Sequence, residues 1–125
     1  MSRHETFKST PVKVFISQPM GGRSLTEILK ERKEIINYLE TVYEEEGVDV
    51  IDNISINKDY ITNTMNHPGL WYFAESIKLM IGVDFVLFVK GWEDSAGCRL
   101  EREVTKVFGF KAFAIVGPNQ TFEEL

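Results

Sequence analysis

Short apolar strands alternating with amphipathic helices predict an α/β protein, a three-layer α/β/α sandwich around a four- to five-stranded parallel sheet. Three observations carry that expectation. The runs at residues 12–17, 48–52, 83–89 and 111–116 are short and almost continuously apolar, as strands buried on both faces must be. The stretches between the first and second runs, and between the third and fourth, show apolar residues at helical spacing with helix start and stop signals. Gly and Pro fall at the junctions. Right-handed crossovers then join the strands in a flavodoxin- or Rossmann-like order.

Taken in order, residues Met1 to Thr10 are polar and aperiodic, and are expected to form a loose arm. Val12-Lys13-Val14-Phe15-Ile16-Ser17 is the first strand, broken by Gln18-Pro19-Met20-Gly21-Gly22-Arg23. Ser24 is the N-cap of the first helix, and Glu27 three residues later completes a capping box. Leu25, Ile28, Leu29, Ile35, Ile36, Leu39 and Val42 follow at helical spacing, with the stop expected near Glu46 and Gly47. Val48 to Asp52 is the second strand. Asn53 to Pro68 is a loop long enough to be functional or mobile. A second helix is expected over Gly69 to Ile81, and a third strand over Val83 to Val89, where Asp84 suits a neighbouring backbone group. The third helix starts near Gly97, carries Leu100, Val104, Val107 and Phe108, and stops at Gly109. Lys111 to Val116 is the fourth strand, closed by Gly117-Pro118, and residues 118–125 are expected to fray.

At 125 residues the chain is one domain with room for a core. The 14 basic residues are outnumbered by 19 acidic ones, giving a net charge of −5. No basic block follows a nucleic-acid backbone, so a polymer partner is disfavoured, whereas a small anion in a local pocket is not. The lone Cys98 fits a reducing compartment. No run reaches transmembrane length and the N-terminus has no signal-peptide core, so no membrane partner and a cytoplasmic location are expected. His4, His67 and Cys98 lack metal-ligand spacing, so neither metal nor cofactor is expected.

Ligands of parallel sheets bind at the carboxyl ends of the strands. This fold places residues 17–23, 52–68 and 90–101 along that edge. The glycines at 21 and 22 suit close approach to a phosphate and Arg23 suits pairing with it, although Gly-Gly after a strand is also an ordinary tight turn. Ser95 and Gly97 open a helix whose free N–H groups suit an anion, and Ser95 is equally a plain N-cap. Glu101 lies just past that first turn, as a candidate catalytic carboxylate or as a complement to the helix dipole. Trp92 either stacks on a bound base or packs over its loop. Cys98 is either a small filler or a thiol tuned by the helix N-terminus.

The sequence Ile16-Ser17-Gln18-Pro19-Met20, with Gly97-Cys98-Arg99-Leu100-Glu101 near the other end, resembles the nucleoside 2-deoxyribosyltransferase-like superfamily. It looks closest to a largely phage-associated branch. Gly21-Gly22-Arg23 and the Ser95-x-Gly97-x-x-x-Glu101 pattern are similar to the deoxynucleoside 5′-monophosphate N-glycosidases of that superfamily, over about Val12 to Val116. The resemblance implies that Glu101 is the nucleophile at the anomeric carbon, in the manner of retaining glycoside cleavage. It implies that Ser95 and Gly21 to Arg23 contact the 5′-phosphate. An Asp takes the place of Ser95 in transferases of unphosphorylated nucleosides and would repel phosphate. The candidate substrate-binding set is Ser17, Gln18, Met20, Gly21, Gly22, Arg23, Ser76, Trp92, Ser95 and Gly97.

Two positions depart from that pattern. The orienting Tyr of the first strand falls at Val14, and the catalytic Asp of the second helix falls at Ser76. The nearest acids are then Glu75, Glu93 and Asp94, the last two expected at the pocket mouth. The function implied is hydrolysis of the base–sugar bond of a (deoxy)nucleoside 5′-monophosphate. A non-catalytic nucleotide-binding or sequestering protein on the same scaffold is the alternative, with deoxyribosyl transfer between bases and an interaction module with a vestigial pocket behind it. The resemblance also implies a homodimer or higher homo-oligomer, for which Leu70, Trp71, Tyr72 and Phe73 offer a contact surface or, equally, core.

Overall fold

Five strands form one sheet in the computed structural model, which describes residues 10–54, 66–117 and 121–125. The strands are β1 (Val12–Ser17), β2 (Val48–Val50), β3 (Phe85–Phe88), β4 (Ala112–Val116) and β5 (Thr121–Glu124). Among the described residues the helices are α1 (Leu25–Val42), α2 (Pro68–Lys78) and α3 (Ala96–Phe108), with a 3₁₀ turn at Trp92–Asp94. The order across the sheet is β2-β1-β3-β4-β5. The expected arm at residues 1–9 and most of the loop from Asn53 to Pro68 lie outside the described residues.

The first four strands are mutually parallel, but β5 runs antiparallel to β4, with Ile115 opposite Phe122. The sheet is therefore mixed, and the tail expected to fray closes it. The physical reason is the length of the link: a parallel partner needs a crossover of about a dozen residues, and the segment between Val116 and Thr121 has no room for one. Phe122 anchors the new strand. Its ring meets Tyr38 of α1 edge-on at 5.5 Å and lies 6.4 Å from Phe113 of β4.

Successive strand residues face opposite ways, and the apolar residues divide accordingly. Val14 and Ile16 of β1, with Phe85 and Leu87 of β3, pack against Ile35 and Leu39 of α1. Phe15, Val86, Phe88, Ala112 and Ala114 form a separate cluster with Met80 and with Cys98 of α3, flanked by Ile77 of α2. Ser17, two residues after Phe15, faces this second side.

Local signals set most boundaries. Ser24 and Glu27 form the expected capping box, with the Glu27 N–H donating to Ser24 Oγ at 3.1 Å. The α1 helix ends at Val42, earlier than expected, and Tyr43 to Glu46 form a turn closed by the Gly47 N–H donating to the Tyr43 carbonyl at 2.7 Å. Gly109, at φ 74°, ends α3 in the left-handed conformation that a β-carbon disfavours. Asp84 accepts from the Lys13 N–H at 2.8 Å, pinning the entry of β3 beside β1.

If β5 belongs to the cooperative unit, Phe122→Ala should destabilise the protein by about 1–3 kcal/mol, less than a fully buried Phe→Ala change. Urea unfolding checks this. A shift below about 0.5 kcal/mol, the size of an ordinary surface change, would detach the strand from the core.

Candidate functional site

With β2 and β3 on opposite sides of β1, the chain reverses its direction of build-up between β1 and β3. In open α/β sheets the crevice outside the carboxyl ends at that point is where ligands enter. A cleft of about 210 Å³ lies there. Residues just past β1 (Gln18, Met20, Gly21) and β2 (Asn53) form part of its wall. The α2 face Gly69, Tyr72, Phe73 and Ser76 and the start of α3, with Ser95, Gly97, Cys98 and Glu101, are the other described residues of the wall.

Helical spacing explains both helix faces. Gly69, Tyr72, Phe73 and Ser76 recur three, four and seven residues apart, so they share one side of α2. On α3 the buried residues are Cys98, Glu101 and Thr105, again one face. A carboxylate on a buried face is expensive unless it is hydrogen-bonded. Here each oxygen has a donor. Ser17 Oγ donates to Glu101 Oε1 at 2.6 Å and Ser76 Oγ donates to Oε2 at 3.1 Å, both buried. Glu101 is 7% exposed. Burial pushes its carboxyl above the ordinary value, and the two serine hydroxyls pull part of the way back.

The strand geometry selects Ser17 for this task. It follows Phe15 on the face that α3 covers, whereas Val14 belongs to the α1 side. The hydroxyl that reaches Glu101 from β1 is therefore that of Ser17, three residues beyond Val14. Ser76 stands at the cleft and bonds the candidate nucleophile directly.

Ser95 is the N-cap of α3, accepting from the Cys98 N–H at 3.3 Å. The N–H groups of Ala96 and Gly97 precede the first intrahelical bond and have no acceptor within the helix. Cys98 is a buried filler in the cluster beneath α3. Burial raises its thiol, Ser17 and Ser95 oppose that shift, and the Glu101 charge adds to it.

Several expected residues stand elsewhere. Arg23 is absent from the cleft lining: its guanidinium donates to Glu31 Oε1 at 2.8 Å and to the Pro19 carbonyl at 3.0 Å. The Glu31 partner holds its pKa up. Gly22, at φ 73°, is the tight turn and also lies outside the lining. Gln18 lines the cleft, but its amide nitrogen serves α1, donating to the Ile28 carbonyl and to Glu31 Oε1, each at 2.9 Å. Trp92 packs on Phe88, ring centres 5.2 Å apart, so the packing alternative holds for it. Glu75 pairs with Lys78 at 2.6 Å, and Glu93 and Asp94 are exposed on the 3₁₀ turn; none of the three lines the cleft. The pocket-mouth position expected for Glu93 and Asp94 fails because that turn directs them to solvent.

Among the described residues that line the cleft, Glu101 is the one carboxylate and there is no Lys or Arg. Among the described residues no group of three or more His, Cys, Asp or Glu is placed so that it could hold a metal ion. No helix among them is long and apolar enough to cross a membrane. Sequence reasoning missed Asn53, which is 4% exposed and donates from Nδ2 to the Ile16 carbonyl at 3.3 Å. Its position directly past the second strand was the available signal.

A raised carboxyl pKa means that the native state holds the Glu101 proton more tightly than the unfolded chain does. Stability contributed by this group therefore falls as pH rises from its ordinary 4.5 through the native value. Glu101→Gln removes that titration. In thermal melts between about pH 4 and pH 7.5, the variant should gain on the wild type as pH rises. A gap that is constant or moves the other way would contradict the raised value.

The chain matches the model of one protein family, Domain of unknown function (DUF4406), over residues 12–114. No curated protein and no solved structure matches it. The match takes in β1 to β3, all three helices and most of β4, and with them every described residue of the cleft. The chain belongs to the DUF4406 family.

Proposed function

We propose that the protein is an N-glycosidase that hydrolyses the base–sugar bond of a (deoxy)nucleoside 5′-monophosphate, with Glu101 as nucleophile. One observation carries this reading: a buried carboxylate, each oxygen held by a serine hydroxyl, sits in the cleft at the sheet's switch point. Such a group is a preorganised partner for the positive charge that develops at an anomeric carbon.

Ser76 lines the cleft and Ser17 does not, so the oxygen held by Ser76 is the one presented to substrate. In the proposed reaction Oε2 bonds to C1′ as the C1′–N bond breaks, and that electron pair leaves with the base, which takes a proton from solvent. Water then attacks C1′, displaces the carboxylate and returns a proton to solvent. The products are free base and sugar phosphate. The 5′-phosphate is proposed to sit at the start of α3, on the N–H groups of Ala96 and Gly97 and on Ser95, which suit an anion without a cationic side chain.

The scaffold belongs with this reading: we take the helices as outer layers of a flavodoxin-like α/β/α sandwich, acting in the cytoplasm. We also take the active form to be a homo-oligomer, a reading supported by exposed Leu70 on α2 and Val107 and Phe108 on α3. Non-catalytic nucleotide binding is the second reading. It is favoured by the absence of a second carboxylate among the described residues of the cleft wall.

Glu101→Gln should abolish base release, measured by chromatography on nucleoside monophosphates, while leaving nucleotide affinity within a few-fold; loss of a nucleophile costs several powers of ten in rate. Unchanged turnover would remove Glu101 from the mechanism, and tight binding without turnover in the wild type would select the second reading.

Ser17→Ala should move the acidic limb of the pH–rate profile to higher pH. The Ser17 hydrogen bond lowers the Glu101 pKa, so its removal leaves less of the ionised nucleophile at a given acidic pH. A limb that stays in place, or moves down, contradicts the role given to Ser17.

A further inference from the structure

We infer that Asn53 selects the base: its Oδ1 accepts a hydrogen bond from an exocyclic amino group of the bound nucleotide, an inference that rests on the nucleotide reading above. Asn53 follows β2, lines the cleft and is 4% exposed. Its Nδ2 donates to the Ile16 carbonyl at 3.3 Å, and because a carbonyl only accepts, this bond fixes which end of the amide is which. The other end, Oδ1, is buried with no hydrogen-bond partner among the described residues. Buried acceptors are nearly always paired, so an orphan in a cleft wall points to a donor that arrives with the ligand.

The strand order says which part of the ligand that is. Asn53 follows β2, Ser95 follows β3, and these strands flank β1, whose Ser17 holds Glu101. Asn53 and Ser95 thus stand on opposite sides of the carboxylate's anchor. A monophosphate with its phosphate at the start of α3 and C1′ at Glu101 directs its base toward Asn53. Tyr72 and Phe73 line the same cleft and offer ring faces for stacking.

A lone acceptor discriminates among bases. Adenine, cytosine and guanine carry an exocyclic amino group that can donate to Oδ1. The imide N–H of uracil or thymine stands between two carbonyls. Those carbonyls would face the Asn53 oxygen, acceptor against acceptor. The proposed ligand class is therefore an amino-bearing nucleobase monophosphate.

Calorimetric titration of the full chain carrying Glu101→Gln, so that ligand is not consumed, tests this. The probes are AMP and dAMP against the corresponding purine monophosphates that lack the 6-amino group, and CMP and dCMP against UMP and dUMP. The amino-bearing member of each pair should bind roughly tenfold tighter. Adding Asn53→Ala should bring each ratio close to one, chiefly by weakening the amino-bearing ligand. Asn53→Ser, which keeps a donor for Ile16, gives the same readout where the Ala variant does not fold. Equal affinities with Asn53 intact, or a preference that survives both substitutions, would overturn the inference and leave the nucleotide reading standing. Failure of every nucleotide to bind would overturn both.

Discussion

Glu101 is a carboxylate on a helix face whose other buried members are Cys98 and Thr105. Taken out of water, such a group needs a donor for each oxygen or it neutralises itself by binding a proton. The donors come from different elements: Ser17 at the end of β1 and Ser76 on α2. That requirement fixes the site. It sets the register at which β1 leaves the sheet, because a shift of one residue would turn Ser17 to the α1 side. It sets the rotation of α2, whose one buried residue is Ser76 rather than a large apolar side chain. Two short polar residues thus hold three elements about a single charge.

A second polar network ties the same sheet edge to α1. Arg32 lies on the buried face of that helix, between Ile28 and Ile35, and donates to the Ile51 carbonyl at 2.8 Å. Burial lowers its pKa, and the charge of Asp52 works against that shift. Gln18 accepts from Arg32 and donates to Glu31, and Glu31 in turn accepts from Arg23. Both arginines near the exit of β1 are thereby engaged by the scaffold. The polarity of the described cleft wall comes instead from serines, an asparagine amide, the start of α3 and Glu101.

Local features of the fold were legible in the sequence. Ser24 with Glu27, Ser95 before α3 and the apolar runs each announce themselves within a few residues, because caps and buried strands are local devices. The carboxyl-edge rule brought Ser95, Gly97, Glu101 and the residues after β1 to one place. What escaped depends on partners distant in sequence. Arg32 reads as part of a charged helix face until the Ile51 carbonyl is seen beside it. Arg23 reads as a phosphate ligand until Glu31 is placed within 2.8 Å. The polar tail becomes a strand only because Phe122 finds Tyr38 and Phe113. Asn53 offers only its position past the second strand; its interest lies in an oxygen with no partner among the described residues.

The hydroxyl at position 76 has a chemical consequence on the proposed reaction. An acid there would stand within hydrogen-bond reach of Glu101, and two carboxyls that close share a proton, which pushes one pKa up further. A phosphate at the start of α3 would add to that pressure. Serine donates a hydrogen bond without adding charge, so it favours the ionised nucleophile, but it gives up the proton donor for the departing base. The base must then collect its proton elsewhere, and its own basicity becomes decisive. Adenine, cytosine and guanine have ring nitrogens that can be protonated before departure, whereas uracil and thymine do not. The bases that leave most readily from a site built this way are the same ones whose amino groups suit the unpaired oxygen of Asn53.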